Sequence, residues 1–158
     1  MTHTIATFGA GCFWYVEDAF RKVPGVVDAA VGFMGGQVAS PSYERVCTGT
    51  TGHAEVCQVT YDSARVSYEQ LLGKFWEIHD PTQMNRQGPD VGSQYRSVIF
   101  THTPEQEAAA RQSKETLAKS GKFQRPIATA IESAREFYRA EEYHQRYFEK
   151  HGGGTCAI

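Results

Sequence analysis

The sequence predicts an α+β fold, a mixed β-sheet with helices packed on it as a two-layer α/β sandwich, followed by a flexible C-terminal tail. Three observations carry this. β-prone and helix-periodic segments alternate along the chain. Residues 35–53, between two of the strands, show no helical period that could serve as a crossover, so a fully parallel sheet is disfavoured. The only shift in composition is the run Gly152-Gly153-Gly154 near the C-terminus, which predicts one domain over residues 1–151 and a loose tail over 152–158. A chain of 158 residues, 41% apolar and 12% aromatic, has the mass for a single sizeable core.

Residues 4–8 are β-prone and stop at Gly9-Ala10-Gly11. Phe13, Trp14, Val16, Ala19, Phe20 and Val23 then recur at helical spacing until Pro24-Gly25. Residues 26–34 read as a strand ending at Gly35-Gly36, and 54–61 as another, with a Ser-, Pro- and Thr-containing loop between them. Ser67 with Gln70 is a capping box, and Leu71, Leu72, Phe75, Trp76 and Ile78 form the buried stripe of a helix that Pro81 cannot continue. Residues 80–94 have no period, and a loop of that length in a compact domain is usually functional or mobile. Ser97–Thr101 reads as a strand. Thr103-Pro104-Glu105-Gln106 combines a cap, a proline at the first helical position and a capping box, opening a helix that Gly121 closes. A last strand is expected over 127–131 and a final helix over 141–150. The whole order is related to a ferredoxin-like core.

With 16 Lys+Arg against 18 Asp+Glu the formal charge is −2, which removes the electrostatic footprint of a nucleic-acid binder or of a membrane-surface protein. No stretch approaches the roughly 18 apolar residues of a membrane span, and the first seven residues lack the basic start of a secretory signal. A cytoplasmic monomer is the expectation. Cysteines stand at 12, 47, 57 and 156, with neither a Cys-x-x-Cys pair nor the density of a disulfide scaffold. The six histidines, at 3, 53, 79, 102, 144 and 151, form no metal-ligand pattern, so no metal is expected.

Cys12 is the most suggestive position. It follows a glycine-bracketed turn and opens a predicted helix, where free N–H groups and the positive dipole end favour the nucleophilic thiolate. By itself this leaves a reactive thiol and a buried structural one both open. Phe13 and Trp14 read first as core and only second as pocket wall. Glu17, five residues on, points about 140° away around the helix and is read as structural.

Gly11-Cys12-Phe13-Trp14 with Glu17 resembles the opening motif of the A-type peptide methionine sulfoxide reductases, and further segments agree in order. These are Gly32-Phe33-Met34-Gly35-Gly36, Tyr43-Glu44-Arg45-Val46, and Thr48-Gly49 followed by Thr51-Gly52-His53-Ala54-Glu55-Val56. They continue with Phe75-Trp76, His79-Asp80-Pro81-Thr82, Asp90 to Ser97, and Ala140 to Gln145. The resemblance spans residues 9 to about 147. It implies thiol-dependent reduction of methionine-S-sulfoxide, free or in proteins, with electrons finally drawn from thioredoxin and no bound cofactor, as protein repair under oxidative stress.

The roles that the resemblance implies fall on named residues. Cys12 attacks the sulfoxide sulfur and becomes a sulfenic acid, while Phe13 and Trp14 hold the S-methyl group. Glu55, kept protonated by burial, is the proton donor. Tyr43 and Tyr95 add hydroxyl donors, and Asp90 positions the polar network or a water. Cys156, on the glycine-rich tail, is the expected resolving thiol, with Cys47 and Cys57 as rivals. No cysteine follows Cys156, so thioredoxin is expected to attack the disulfide directly. Two departures from the pattern are Tyr15, where glycine is common, and Met34, which is expected to set an oxidisable side chain near the site. His53 is expected to hydrogen-bond locally. Two other readings stay open: a Cys-His hydrolase with His53 or His144 as base, and a non-catalytic binder of methionine-containing peptides.

Overall fold

A computed structural model describes residues 3–150. Strand β1 (His3–Ala10) leads into helix α1 (Phe13–Arg21), strand β2 (Val26–Met34), a short helix α2 (Tyr43–Cys47) and strand β3 (Ala54–Asp62). Helix α3 (Tyr68–Glu77) precedes a small hairpin of β4 (Arg86–Gln87) and β5 (Asp90–Val91). Strand β6 (Ser97–Thr101), helix α4 (Pro104–Lys119), strands β7 (Ala130–Ser133) and β8 (Tyr138–Arg139) and helix α5 (Tyr147–Lys150) complete the order.

The sheet runs β7-β6-β1-β3-β2-β8. Only β6 and β7 pair in parallel; every other pairing in this sheet is antiparallel. Within it, β1-α1-β2-β3-α3-β6 in the order β6-β1-β3-β2 is the expected ferredoxin-like arrangement. Strand β3 shows how alternation builds the two faces. Cys57, Val59 and Tyr61 point into the core with Phe8, Phe20, Leu71, Leu72 and Phe75 beneath α1 and α3. Ala54 and Val56 point the other way, into a smaller cluster with Met34, Val98 and Phe100 that Phe137 covers. Glu55 belongs to the helix-covered face by its register opposite Phe33, and Met34 does not. The expectation that Met34 lies near the site is therefore corrected: the sheet stands between them, because one residue along a strand changes face. Tyr15 is an exposed residue of α1.

Four local readings are also refined. The 35–53 stretch contains α2, one short helix started by Ser42, whose Oγ accepts from the Arg45 N–H at 3.2 Å. The Ser67 capping box is formed, but at Thr103 the reciprocal half is not. There Gln106 Oε1 accepts from His102 N–H at 3.0 Å and its Nε2 donates to Ile5 O at 2.8 Å, fastening α4 to β1. The strand expected over 127–131 begins at Ala130, because Ala128 N–H bonds Pro81 O at 2.7 Å and Lys114 Nζ takes Thr129 O at 2.7 Å. The helix expected over 141–150 is a single 3-10 turn, Glu142–His144, and then α5. Arg146 breaks it with φ at +54°, a conformation in which its N–H donates to buried Glu17 Oε1 at 2.8 Å. The expected tail and Cys156 lie outside the described residues.

Candidate active site

The β1–α1 turn places Cys12 at the N-cap of α1, half-buried, with the helix dipole behind it. Gly11 makes this turn at φ +96°, and a Cβ there would press within 2.8 Å of the Gln87 side chain. Gln87 in turn latches the β4–β5 hairpin, its Oε1 accepting from Asp80 N–H at 2.8 Å and its Nε2 donating to Asp80 O at 2.7 Å. The aperiodic 80–94 loop is thus tied to itself beside the β1–α1 turn.

Glu55 enters the same place from β3. Its carboxyl is 2% exposed, and Oε1 accepts from Phe13 N–H at 3.2 Å, one of the donors a helix start leaves unpaired. Oε2 is buried without a partner. Burial pushes the pKa up to about 8 against the opposing Phe13 hydrogen bond, and the charge of Asp90 adds to the rise. At neutral pH Glu55 is therefore a carboxylic acid whose second oxygen is unengaged.

Tyr43, on the first turn of α2, stacks on Phe13 at 6.0 Å and on Trp14 at 6.3 Å between ring centres. Tyr95 stands on the 3-10 turn Ser93–Tyr95. Burial, and next the nearby Glu55, raise both phenols, so each remains an O–H donor. Asp90, half-buried in the hairpin, is raised by desolvation. The structure brings Cys12, Phe13, Trp14, Tyr43, Glu55, Asp90 and Tyr95 to one end of the helix-covered face.

Residues 4–158 match the family model described as peptide methionine sulfoxide reductase. The chain belongs to this family of reductases. It is 72% identical over 151 residues to the peptide methionine sulfoxide reductase MsrA of Methanoculleus marisnigri, covering 96% of this chain and 92% of the relative. Mxr1 of Saccharomyces cerevisiae in its reduced form superposes with a TM-score of 0.91 at 39% identity, over 98% of this chain and 89% of that one. A structure of Mxr1 in complex with Trx2 superposes at 0.66 with 27% identity, over 92% of this chain and 85% of that one.

In this reductase the two histidines weighed as hydrolytic bases are committed elsewhere. His53 is buried, with Nδ1 accepting from Gly36 N–H at 3.0 Å and Nε2 donating to Val38 O at 2.7 Å, so it pins the 36–38 loop as expected. His144 Nδ1 accepts from the indole Nε1–H of Trp14 at 2.9 Å. Neither offers a free lone pair to a thiol. Glu17 is the structural residue that its helical angle predicts, 1% exposed and paired with Arg21 Nε at 3.1 Å.

Cys57 is fully buried, and burial pushes its thiol up, which removes it from any surface chemistry. Cys47 is exposed beside Tyr43 and Tyr95, and desolvation raises its thiol. Sequence reasoning missed Gln87 as the hairpin latch and His144 as the indole's partner. The position of His144 within the matched C-terminal motif was the only signal available. Among the described residues no group of three or more His, Cys, Asp or Glu could hold a metal ion, and no helix is long and apolar enough to cross a membrane.

Proposed function

We propose that this reductase acts on methionine-S-sulfoxide, free or within proteins, through Cys12 as nucleophile and Glu55 as acid. The observation that carries this reading is the buried, protonated Glu55 carboxyl bonded to the N–H of the residue after Cys12. In the first step the Cys12 thiolate attacks the sulfoxide sulfur and Glu55 delivers a proton to the oxygen. The sulfoxide is reduced to a thioether, and Cys12 is oxidised to a sulfenic acid that carries the oxygen. Tyr43 and Tyr95 hydroxyls donate to the oxygen as its charge develops, and Asp90 orders the surrounding polar groups. Phe13 and Trp14 supply the aromatic wall for the S-methyl group.

The sulfenic acid is then condensed with the Cys156 thiol on the 152–158 tail, giving a disulfide and releasing the oxygen as water. Thioredoxin, the external thiol reductant, reopens that disulfide. The complex of the yeast relative with Trx2 supports this partner. The exposed position of Cys47 beside Tyr43 and Tyr95 makes it the second candidate for recycling, and buried Cys57 is set aside. We place the reductase in the cytoplasm as a monomer that repairs oxidised proteins.

The test is product analysis on separated sulfoxide epimers with the Cys12→Ser, Cys47→Ser and Cys156→Ser variants. One methionine per protein from Cys156→Ser, none from Cys12→Ser, and no reaction with the R epimer are expected. Reduction of sulfoxide by Cys12→Ser would overturn the assignment. Absence of repeated turnover with dithiothreitol in the unmodified protein would leave only a binder.

A further inference from the structure

The His144 ring is 1% exposed and lies among four aromatic rings: Tyr143 at 4.0 Å, Tyr43 at 4.3 Å, Phe13 at 5.4 Å and Trp14 at 5.5 Å. An indole N–H only donates, so the 2.9 Å contact requires a lone pair on Nδ1 and places the imidazole proton on Nε2. That Nε2–H is buried and finds no partner. As core filling, His144 is a poor choice. An apolar side chain of the same volume would remove the orphan donor, which costs about 1–3 kcal/mol when left unpaired.

Its backbone is held with unusual care by the next residue. Gln145 occupies a ladder position on the edge of β2, accepting from Val31 N–H at 2.9 Å and donating to Val31 O and Ala140 O at 2.9 Å each. Ala140 N–H bonds the same Val31 carbonyl at 3.0 Å. The 3-10 turn Glu142–His144 is thereby fixed to the sheet, and its last ring is delivered to the indole. Tyr147 of α5 stacks on the indole at 3.9 Å and sets its plane. Stacking leaves rotation and sliding within that plane open. The directional hydrogen bond to Nδ1 restricts them.

We propose that His144 is a positioning residue of the reductase, a neutral imidazole that fixes the in-plane orientation of Trp14 and so the shape of the wall facing the substrate methyl group. This rests on the pocket role given above to Trp14, while the bond itself is testable apart from that role.

The experiment uses the full reduced chain labelled with ¹⁵N. The chain has two tryptophans, so two indole N–H resonances are expected, and Trp14→Phe identifies the one from Trp14. Trp76, whose Nε1 donates to Ser113 Oγ at 2.8 Å, serves as the internal control. In His144→Leu the Trp14 resonance moves upfield and exchanges faster with solvent, while that of Trp76 stays in place. In single-turnover reduction of methionine-S-sulfoxide, half-saturation rises about tenfold, the factor equivalent to one lost hydrogen bond of about 1.4 kcal/mol. The maximal rate changes by less than about threefold, since no reacting group is lost.

His144→Asn places Oδ1 where Nδ1 stood and restores both the resonance and the half-saturation. If the leucine variant does not fold, the asparagine variant decides by itself. Its failure to keep either readout overturns the proposal, as does an unmoved Trp14 resonance or unchanged half-saturation in a folded His144→Leu. An unmodified protein that reduces no sulfoxide overturns the functional reading. An unmoved indole resonance in a working reductase overturns the role of His144 alone.

Discussion

Replacing Glu55 by Gln separates proton delivery from shape. The amide fills the same volume and retains a hydrogen-bond donor, but it cannot hand a proton to the departing oxygen. With a pKa of about 8 the wild-type carboxyl is about 90% protonated at pH 7, whereas an ordinary glutamate at 4.5 is about 0.3% protonated. Burial therefore raises the acid form about 300-fold. Loss of general acid catalysis predicts a single-turnover rate lower by about 10²- to 10⁴-fold in Glu55→Gln, followed as methionine formed from the S epimer. The wild-type rate should fall about tenfold per pH unit above pH 8, and the variant should lack that limb.

Stability supplies an independent check with the opposite sign. The folded pKa lies above the unfolded one, so the contribution of the neutral carboxyl is complete below about pH 4.5 and declines by about 1.4 kcal/mol per unit up to about pH 8. By pH 7 the wild type has lost about 3 kcal/mol on this account. Glu55→Gln carries no such loss and should resist urea better than wild type at pH 7, with the difference vanishing near pH 4.5. A variant within threefold of the wild-type rate, or one less stable at pH 7, refutes the reasoning.

Cys156→Ser should complete one round of reduction and then stop with thioredoxin, as read by methionine formed per protein. Continued cycling would transfer the resolving role to Cys47. His79, buried with Nδ1 on Phe75 O and Nε2 on Ser97 Oγ at 2.7 Å each, has its pKa lowered to about 4 by desolvation. Its contribution is present above pH 6.5 and falls by about 3 kcal/mol in total as pH drops to 4, so His79→Gln should flatten the acid side of a urea stability profile. Gly11→Ala meets both a left-handed backbone and the Gln87 stem, and should cost about 1–3 kcal/mol in chemical unfolding while slowing single turnover. Glu17→Ala leaves the Arg146 N–H and Arg21 without their buried acceptor and should cost about 2–4 kcal/mol, with a folded midpoint unchanged from wild type overturning its structural role.

The elements with strong local signals were legible in the chain. Ser97–Thr101 is a strand over the expected residues, Ser67 and Gln70 form their capping box, and Gly121 follows the end of α4 with φ at +77°. The misreadings fall where a distant partner overrides the local preference. Arg146 leaves helical geometry for a carboxylate on α1, and Gln106 turns from the cap to His102 and to β1. Met34 is expected near the site from its place in the Gly32–Gly36 segment that resembles the family's, although the sheet puts it on the other face.

What the sequence by itself determined is the local punctuation, a cysteine at a helix start and a glutamate on a strand, set by residue type, spacing and backbone preference over a few positions. That these groups react together with Tyr43, Tyr95 and Asp90 is what the resemblance to the reductase family implies. Only the tertiary structure decided what each group is chemically. Glu55 becomes an acid because β3 buries it against Phe13 N–H, and His144 becomes a neutral acceptor because the edge of β2 carries it to Trp14. Protonation and tautomer depend on desolvation and on partners far along the chain, and neither exists before the sheet has closed.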